Sequence, residues 1–169
     1  APLMSLPRLF GTTVLTVPAD IPYLHAECRS VGRGHEAPEP DGGLKVGVVW
    51  QGNPRYGQDR ERSFRLAQLE PLAEVPGVRF VSLQNGPATE QISAMADRFA
   101  ALDLGNQLGD FLDIAGAMRD LDLVIAPDTA IAHLAGALGI PAWVALAFDP
   151  DFRWLDGRDD SPWYPAVSY

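Results

Sequence analysis

In "DLVIAPDTAIAHLAGALGIPAWVAL" (122–146) an apolar run halts at Pro127-Asp128-Thr129 and resumes with helical spacing around His133. It stops again at Gly139-Ile140-Pro141 before another apolar run. The pattern reads as strand, turn, helix, strand. Asp128 and Thr129 are residue types that cap a helix, a side-chain oxygen accepting from a free backbone N–H. Thr129 and His133 are four apart, hence on one side of the helix and within its first turn. The opposite side, Ile131, Leu134, Ala135 and Leu138, is expected to meet the sheet. A hydroxyl, an imidazole, free N–H groups and the positive end of the helix dipole then converge on one point, which suits an anion and above all a phosphate. The alternative is a simple cap with a packed or surface histidine.

Three further stretches carry candidate chemistry. "WQGNPRYGQDRERSF" (50–64) is a glycine-bearing loop leading to Ser63, a plausible N-cap. Of the 13 basic residues only Lys45 is lysine, and Arg55, Arg60, Arg62 and Arg65 cluster in or beside this loop. The planar guanidinium fork suits phosphate, although a solvated loop balanced by Asp59 and Glu61 has the same composition. Neither GxGxxG nor GxxxxGK[ST] occurs in the loop, which removes a nicotinamide fingerprint and a P-loop. In "SLQNGPATEQ" (82–91), Gln84 and Glu90 follow a strand-like run, and a carboxylate there would hold a ribose hydroxyl pair or simply open a helix. In "FDPDFRWLDGRDDSPWYP" (148–165), Trp154, Trp163 and Tyr164 either wall a sugar or base pocket or anchor a long loop.

These residues need elements to position them. Strands are expected at "LKVGVVW" (44–50), "VRFVSLQ" (78–84), "ALDLG" (101–105), "DLVIAP" (122–127) and "PAWVALA" (141–147). Helices are expected at 63–74, interrupted at Pro71, at 88–100, at 109–121 with Phe111, Ile114, Ala115 and Met118 on one face, and at 129–138. Near-continuous apolar strands alternating with helices indicate an α/β fold: a Rossmann-like parallel sheet with helices on both faces. In such sheets ligands bind outside the carboxyl ends of the strands, where Asp128 and Thr129 fall. Residues 44–169 form this domain. "RSVGRGHEAPEPDGG" (29–43) is rich in Gly, Pro and charge, so 25–43 reads as a linker. Residues 1–24 are apolar and proline-punctuated, and either pack on this domain or belong to a neighbouring one.

The bulk numbers narrow the classes. The chain has 169 residues, 47% apolar and 21% charged, with a net charge of −9. An acidic surface disfavours nucleic acid or an anionic membrane as the main partner. Cys28 is the only cysteine, which rules out an intrachain disulfide and CxxC motifs, and His25, His35 and His133 lie far apart. No metal site is expected. A reducing, cytoplasmic setting follows from the cysteine usage, and no apolar run is long enough for a transmembrane helix. Pro2, Pro7, Gly11 and Pro18 break the early apolar stretch, so no signal peptide is read. The chain is expected to be part of a longer protein.

Taken together, "LKVGVVWQGNP", "RSF", "RFVSLQNG", "LDLVIAPDTAIAHLAGALGIPAWV", "DFRW" and "DSPWYP" resemble the C-terminal half of a glycosyltransferase with two facing Rossmann-like domains, the GT-B architecture. The likeness is to bacterial tetratricopeptide-repeat-associated proteins related to the ADP-heptose:lipopolysaccharide heptosyltransferases. It spans Leu44 to Pro165, and Asp-Thr-x-x-x-His-Leu-Ala is its most specific part. "LMSLPRLFGT" is similar to the segment joining the two halves. The resemblance implies a metal-independent donor site for a sugar nucleotide and no cofactor. It places Asp128, Thr129, Ala130 and His133 around the diphosphate, Ser63 and Arg62 by the first-strand loop, and Glu90, with Gln84 at the same sheet edge, near the nucleoside. Heptosyltransferases usually carry Gly where this chain has Ala130, which favours the repeat-associated branch over a heptose donor. The half expected to hold the acceptor and the general base lies outside this sequence, so no catalytic base is assigned.

The expected function is therefore donor binding within a glycosyltransferase, this chain alone transferring nothing. The partners expected are a sugar nucleotide, the N-terminal half and tetratricopeptide repeats. A non-catalytic nucleotide-sugar sensor or scaffold is the alternative. An isomerase or epimerase would need more acids and bases at the site than His133, and a serine hydrolase would need a GxSxG elbow that is missing.

Overall fold

The computed structural model describes residues 2–26 and 42–169. Most of the expected linker, including Cys28 and His35, lies outside the described residues. The early segment folds as short turns of 3-10 helix at Leu3–Ser5 and Val14–Thr16 around α1 (Leu6–Leu9), none of which buries a residue.

The domain then runs β1 (Leu44–Val48), α2 (Asp59–Arg62), β2 (Val78–Ser82), α3 (Glu90–Ala94), β3 (Ala101–Asp103), α4 (Phe111–Met118), β4 (Leu123–Pro127), α5 (Ala130–Leu138), β5 (Ala142–Ala145) and β6 (Val167–Ser168). All strands are parallel, in the order β3-β2-β1-β4-β5-β6. The expected α/β, Rossmann-like sheet is thus present, with β6 as an added edge. Alternation along the strands supplies two cores. Val46, Val48, Trp50 and Ile125 face one layer with Leu66, Leu69, Phe80 and Phe99. Val49, Val124, Ala126 and Val144 face the other with Met118, Ala132, Ala135 and Trp154. Because both faces are covered, β4 and β5 carry no polar residue, and β1 departs from apolar only at Lys45.

The chain leaves β1 toward β2 on one side and returns after β3 to β4 on the other, so the order reverses between β1 and β4. The crevice at such a reversal, outside the carboxyl ends, is where α/β sheets bind ligands. The loop after β1 and the turn after β4 both open there.

Several helices differ from expectation. The segment expected as a helix over 63–74 follows α2, is non-helical at 63–65, and continues as a nine-residue 3-10 stretch, Leu66–Glu74, containing Pro71. Proline has no N–H to complete an α-helical ladder. The helix expected over 88–100 is reduced to a 3-10 turn at Pro87–Thr89 and the five residues of α3. In α4, Ala115 and Met118 are buried and Ile114 partly so, but Phe111 is 56% exposed. Asp110 caps that helix by accepting from Leu112 and Asp113 N–H. On α5 the fully buried residues are Ala132, Ala135, Gly136 and Ala137, while Ile131, Leu134 and Leu138 pack at the margin. Small residues let this helix lie close to its neighbours. Gly139 closes it in the left-handed conformation at φ 73°, its N–H returning to Ala135 and Gly136 carbonyls.

The early segment is strapped to the far end of α5. Tyr23 and Leu24 N–H both donate to Ala137 O, and Arg119 Nη1 donates to Ala26 O. Among the described residues no helix is long and apolar enough to cross a membrane.

Candidate functional site

A two-residue turn, Asp128-Thr129, joins β4 to α5, and its donors are unspent. Thr129 occupies the N-cap position in an extended conformation, yet its side chain makes no capping bond. The Thr129 residue is 7% exposed and its Oγ1 has no partner. Among the described residues, the amides of Ala130, Ile131 and Ala132 have no acceptor, and the first intrahelical bond is His133 N–H to Thr129 O at 3.3 Å. Capping by Thr129, one of the two readings of this turn, is therefore not what the structure contains. The helix opens with free N–H groups at its positive pole, which is an arrangement that binds anions.

His133 stands one turn into α5 over that pole. Its side chain keeps 31% of its surface exposed, so it is not sealed in the core, and Nε2 lies 3.5 Å from Asp128 Oδ1. Nδ1 is buried without a partner. The ring stacks on Trp154 at 5.4 Å between centroids and 15° between planes, and tilts against Tyr164 at 5.7 Å. Trp154 and Tyr164 are both buried. The aromatic loop after β5 therefore anchors itself, as one reading held, and by doing so fixes the imidazole. Trp163 lies apart, edge-on to Phe152 at 6.0 Å. Burial works to raise the Asp128 carboxyl, but hydrogen bonding from His133 and Trp154 and the electrostatics of His133 and Arg62 outweigh it and hold it below its usual 3.8. The Trp154 Nε1–H makes no bond of full geometry, yet it sits near enough to favour the carboxylate.

The loop after β1 folds onto this turn. Arg62 Nη1 donates to Asp128 O at 2.6 Å, Arg62 Nε faces Asp59 Oδ1 at 3.3 Å, and the guanidinium lies 4.7 Å over the Tyr56 ring. Asp59 is buried, so the ion pair is a fixed strut. The alternative reading had Asp59 balance the arginines on a solvated surface; in the structure it is buried and paired with Arg62, three residues on. Gly52 sits where these parts meet. A Cβ there would collide with Asp59 Oδ1, approach Arg62 Nη2 to 2.7 Å and touch Thr129 Cγ2 at 3.2 Å. Ser63 is not an N-cap. It follows α2, and its Oγ accepts from Gly52 N–H at 3.0 Å, pinning the loop.

Gln84 and Glu90 are placed differently from this group. The Gln84 carboxamide is spent on backbone: Oε1 accepts from Trp50 and Gln51 N–H at 3.1 and 2.9 Å, and Nε2 donates to Gln51 and Asn85 carbonyls. It ties the ends of β1 and β2 together. Glu90 is exposed at the first position of α3, at the same edge of the sheet. Asp128, Thr129, Ala130, His133, Arg62 and Ser63 are thus brought together, Gln84 braces them, and Glu90 stands on the rim. The unforeseen members are Gly52 and Asp59. The spacing of Asp59 from Arg62 was readable, whereas the role of Gly52 depends on a contact between loops 77 residues apart in the chain.

Among known proteins, the chain is similar to Protein FlbA of Caulobacter vibrioides, with 31% identity over 160 residues, covering 89% of this chain and 24% of that protein. The chain therefore spans about a quarter of that relative's length. No family model and no solved structure matches it.

Proposed function

We propose that this chain is the donor-binding domain of a metal-independent glycosyltransferase, holding the diphosphate of a sugar nucleotide at the mouth between β1 and β4. The observation that carries the reading is the set of unengaged donors at the start of α5, with the orphaned Thr129 hydroxyl beside it and His133 above it. Unpaired buried polar groups are destabilising by about 1–3 kcal/mol each, so a site that keeps them is suited to a ligand that satisfies them. The resemblance of the Asp-Thr-x-x-x-His-Leu-Ala segment to glycosyltransferase donor halves supports the same choice of ligand.

In this reading the N–H groups of α5 receive the phosphate oxygens. As the glycosidic bond breaks, negative charge grows on the departing diphosphate, and donors already aimed at it lower the barrier. Arg62 acts through the turn: its bond to Asp128 O fixes the direction in which the amides point. A base for the acceptor hydroxyl is assigned to no residue here, so the chain alone is expected to bind and not to transfer.

Isothermal titration of uridine, adenosine, guanosine and cytidine diphosphates tests the reading, with Thr129→Val and His133→Ala as variants. One of the four is expected to bind wild type, and each substitution to weaken it by about tenfold, the loss of one charge-assisted hydrogen bond. Because Thr129 Oγ1 has no protein partner, Thr129→Val is expected to leave thermal stability unchanged or slightly higher. Absence of binding by all four, or equal binding by wild type and both variants, would remove the proposal.

A further inference from the structure

Beside the Arg62–Ser63 corner opens a cleft of about 490 Å³, within the size range of small-molecule sites. Its walls include Arg60, Ser63, Phe64, Arg65, Gln68 and Gln91. Gln68 Oε1 accepts from Arg65 N–H, and Gln91 Oε1 accepts from Leu66 N–H, both at 3.0 Å. Only an amide oxygen can accept there, so each carboxamide has its –NH2 end left to offer. Ser63 Oγ already accepts from Gly52 N–H, and its own hydrogen remains to be donated. Arg60 and Arg65 are exposed and form no ion pair among the described residues. The carboxylate in the wall, Asp59, is buried and turned to Arg62. Gln51, also in the wall, has its carbonyl engaged by Gln84 Nε2.

The unpaired charges of the cleft are thus both cationic, with hydroxyl and amide donors beside them, in a chain whose net charge is −9. We infer that this cleft is a second recognition site, separate from the mouth at α5, for the oxyanion of a small ligand, carboxylate or phosphate. The guanidinium forks and amide ends match the paired oxygens of such a group, and Phe64 offers an apolar wall for the body that carries it. The two exposed guanidiniums favour an anion over a neutral or cationic ligand, which would leave them unneutralised. The cleft shares Ser63 and Asp59 with the group at the mouth, whereas Arg60, Arg65, Gln68 and Gln91 take no part there.

The experiment follows backbone amide resonances of the ¹⁵N-labelled chain during separate titrations with glucuronate and with inorganic phosphate. Shifts are expected at Arg65 to Gln68 and at Gln91. Arg60→Gln combined with Arg65→Gln is expected to weaken them by about tenfold or more, while a nucleoside diphosphate bound at α5 keeps its affinity within about twofold. Both arginines are exposed, so the variant retains the dispersed spectrum of the folded chain. A response to glucuronate alone identifies a carboxylate ligand, and a response to phosphate alone a phosphorylated one. Amides unmoved by either probe, equal shifts in wild type and variant, or shifts confined to 129–133 would each overturn the inference.

Discussion

Asp128 faces three neighbours with different parts of itself. Its carbonyl receives Arg62, its carboxylate faces His133, and its peptide leads into the free amides of α5. Since the folded-state value of the carboxyl lies below the usual 3.8, folding favours the charged form. That contribution is fully present above pH 4 and is lost as pH falls through the folded value. The stability gap between wild type and Asp128→Asn, measured by urea unfolding, is therefore expected to be flat from pH 7 to about 5 and to narrow below about 4. A gap that widens in acid would contradict the assigned direction. Asp128, Thr129 and His133 were legible as a group because their spacing is local and helical. Gln84 was legible only as a residue at the sheet edge. Its four partners are backbone groups, three of them at Trp50 and Gln51 just beyond the end of β1, and side-chain identity carries no record of them.

Helix α5 owes its position to Gly136 as much as to its apolar residues. A Cβ at Gly136 would stand 2.5 Å from the Tyr164 ring, and Tyr164 in turn lies against His133. Two effects oppose each other on mutation. Alanine in a helix interior is favoured over glycine by about 1 kcal/mol, whereas overpacking a close contact costs about 1–3 kcal/mol. Tyr164 is buried, and the collision is with its Cβ and ring root rather than with a flexible tip, so overpacking wins. Gly136→Ala is expected to lower stability by about 1–2 kcal/mol, read by thermal or urea denaturation, and to shift His133 ring resonances. A stabilised variant would mean that the helix slides freely. Strong patterns such as 123–127 and 130–138 were readable as elements with near-correct ends, Gly139 and Pro141 included. The segments around Pro71 and Ala88–Ala100 were not, because the 3.6-residue period extends past the point where chain geometry lets an α-helix continue.

At the scale of the molecule, reversal of strand order between β1 and β4 gathers the loop of Arg62 and the turn of Asp128 at one crevice. Alternating strands and helices implied a parallel sheet, but not its order, which depends on where each crossover lands. The early segment stands outside this core, with Leu3, Leu9, Phe10 and Leu15 each more than half exposed and α1 burying nothing. Leu9→Ser with Phe10→Ser is therefore expected to change unfolding free energy by less than about 0.5 kcal/mol, while lowering any concentration-dependent self-association seen by light scattering. A loss of several kcal/mol would show that these side chains belong to the core.

The turn between β4 and α5 is only two residues long, and both of its ends are embedded in the sheet and its covering helices. On the proposed function, an incoming anion would find a mould already cast, with little chain freedom left to surrender as it docks. Capture at this edge would then be limited by collision and by the shedding of hydration water rather than by ordering of the turn.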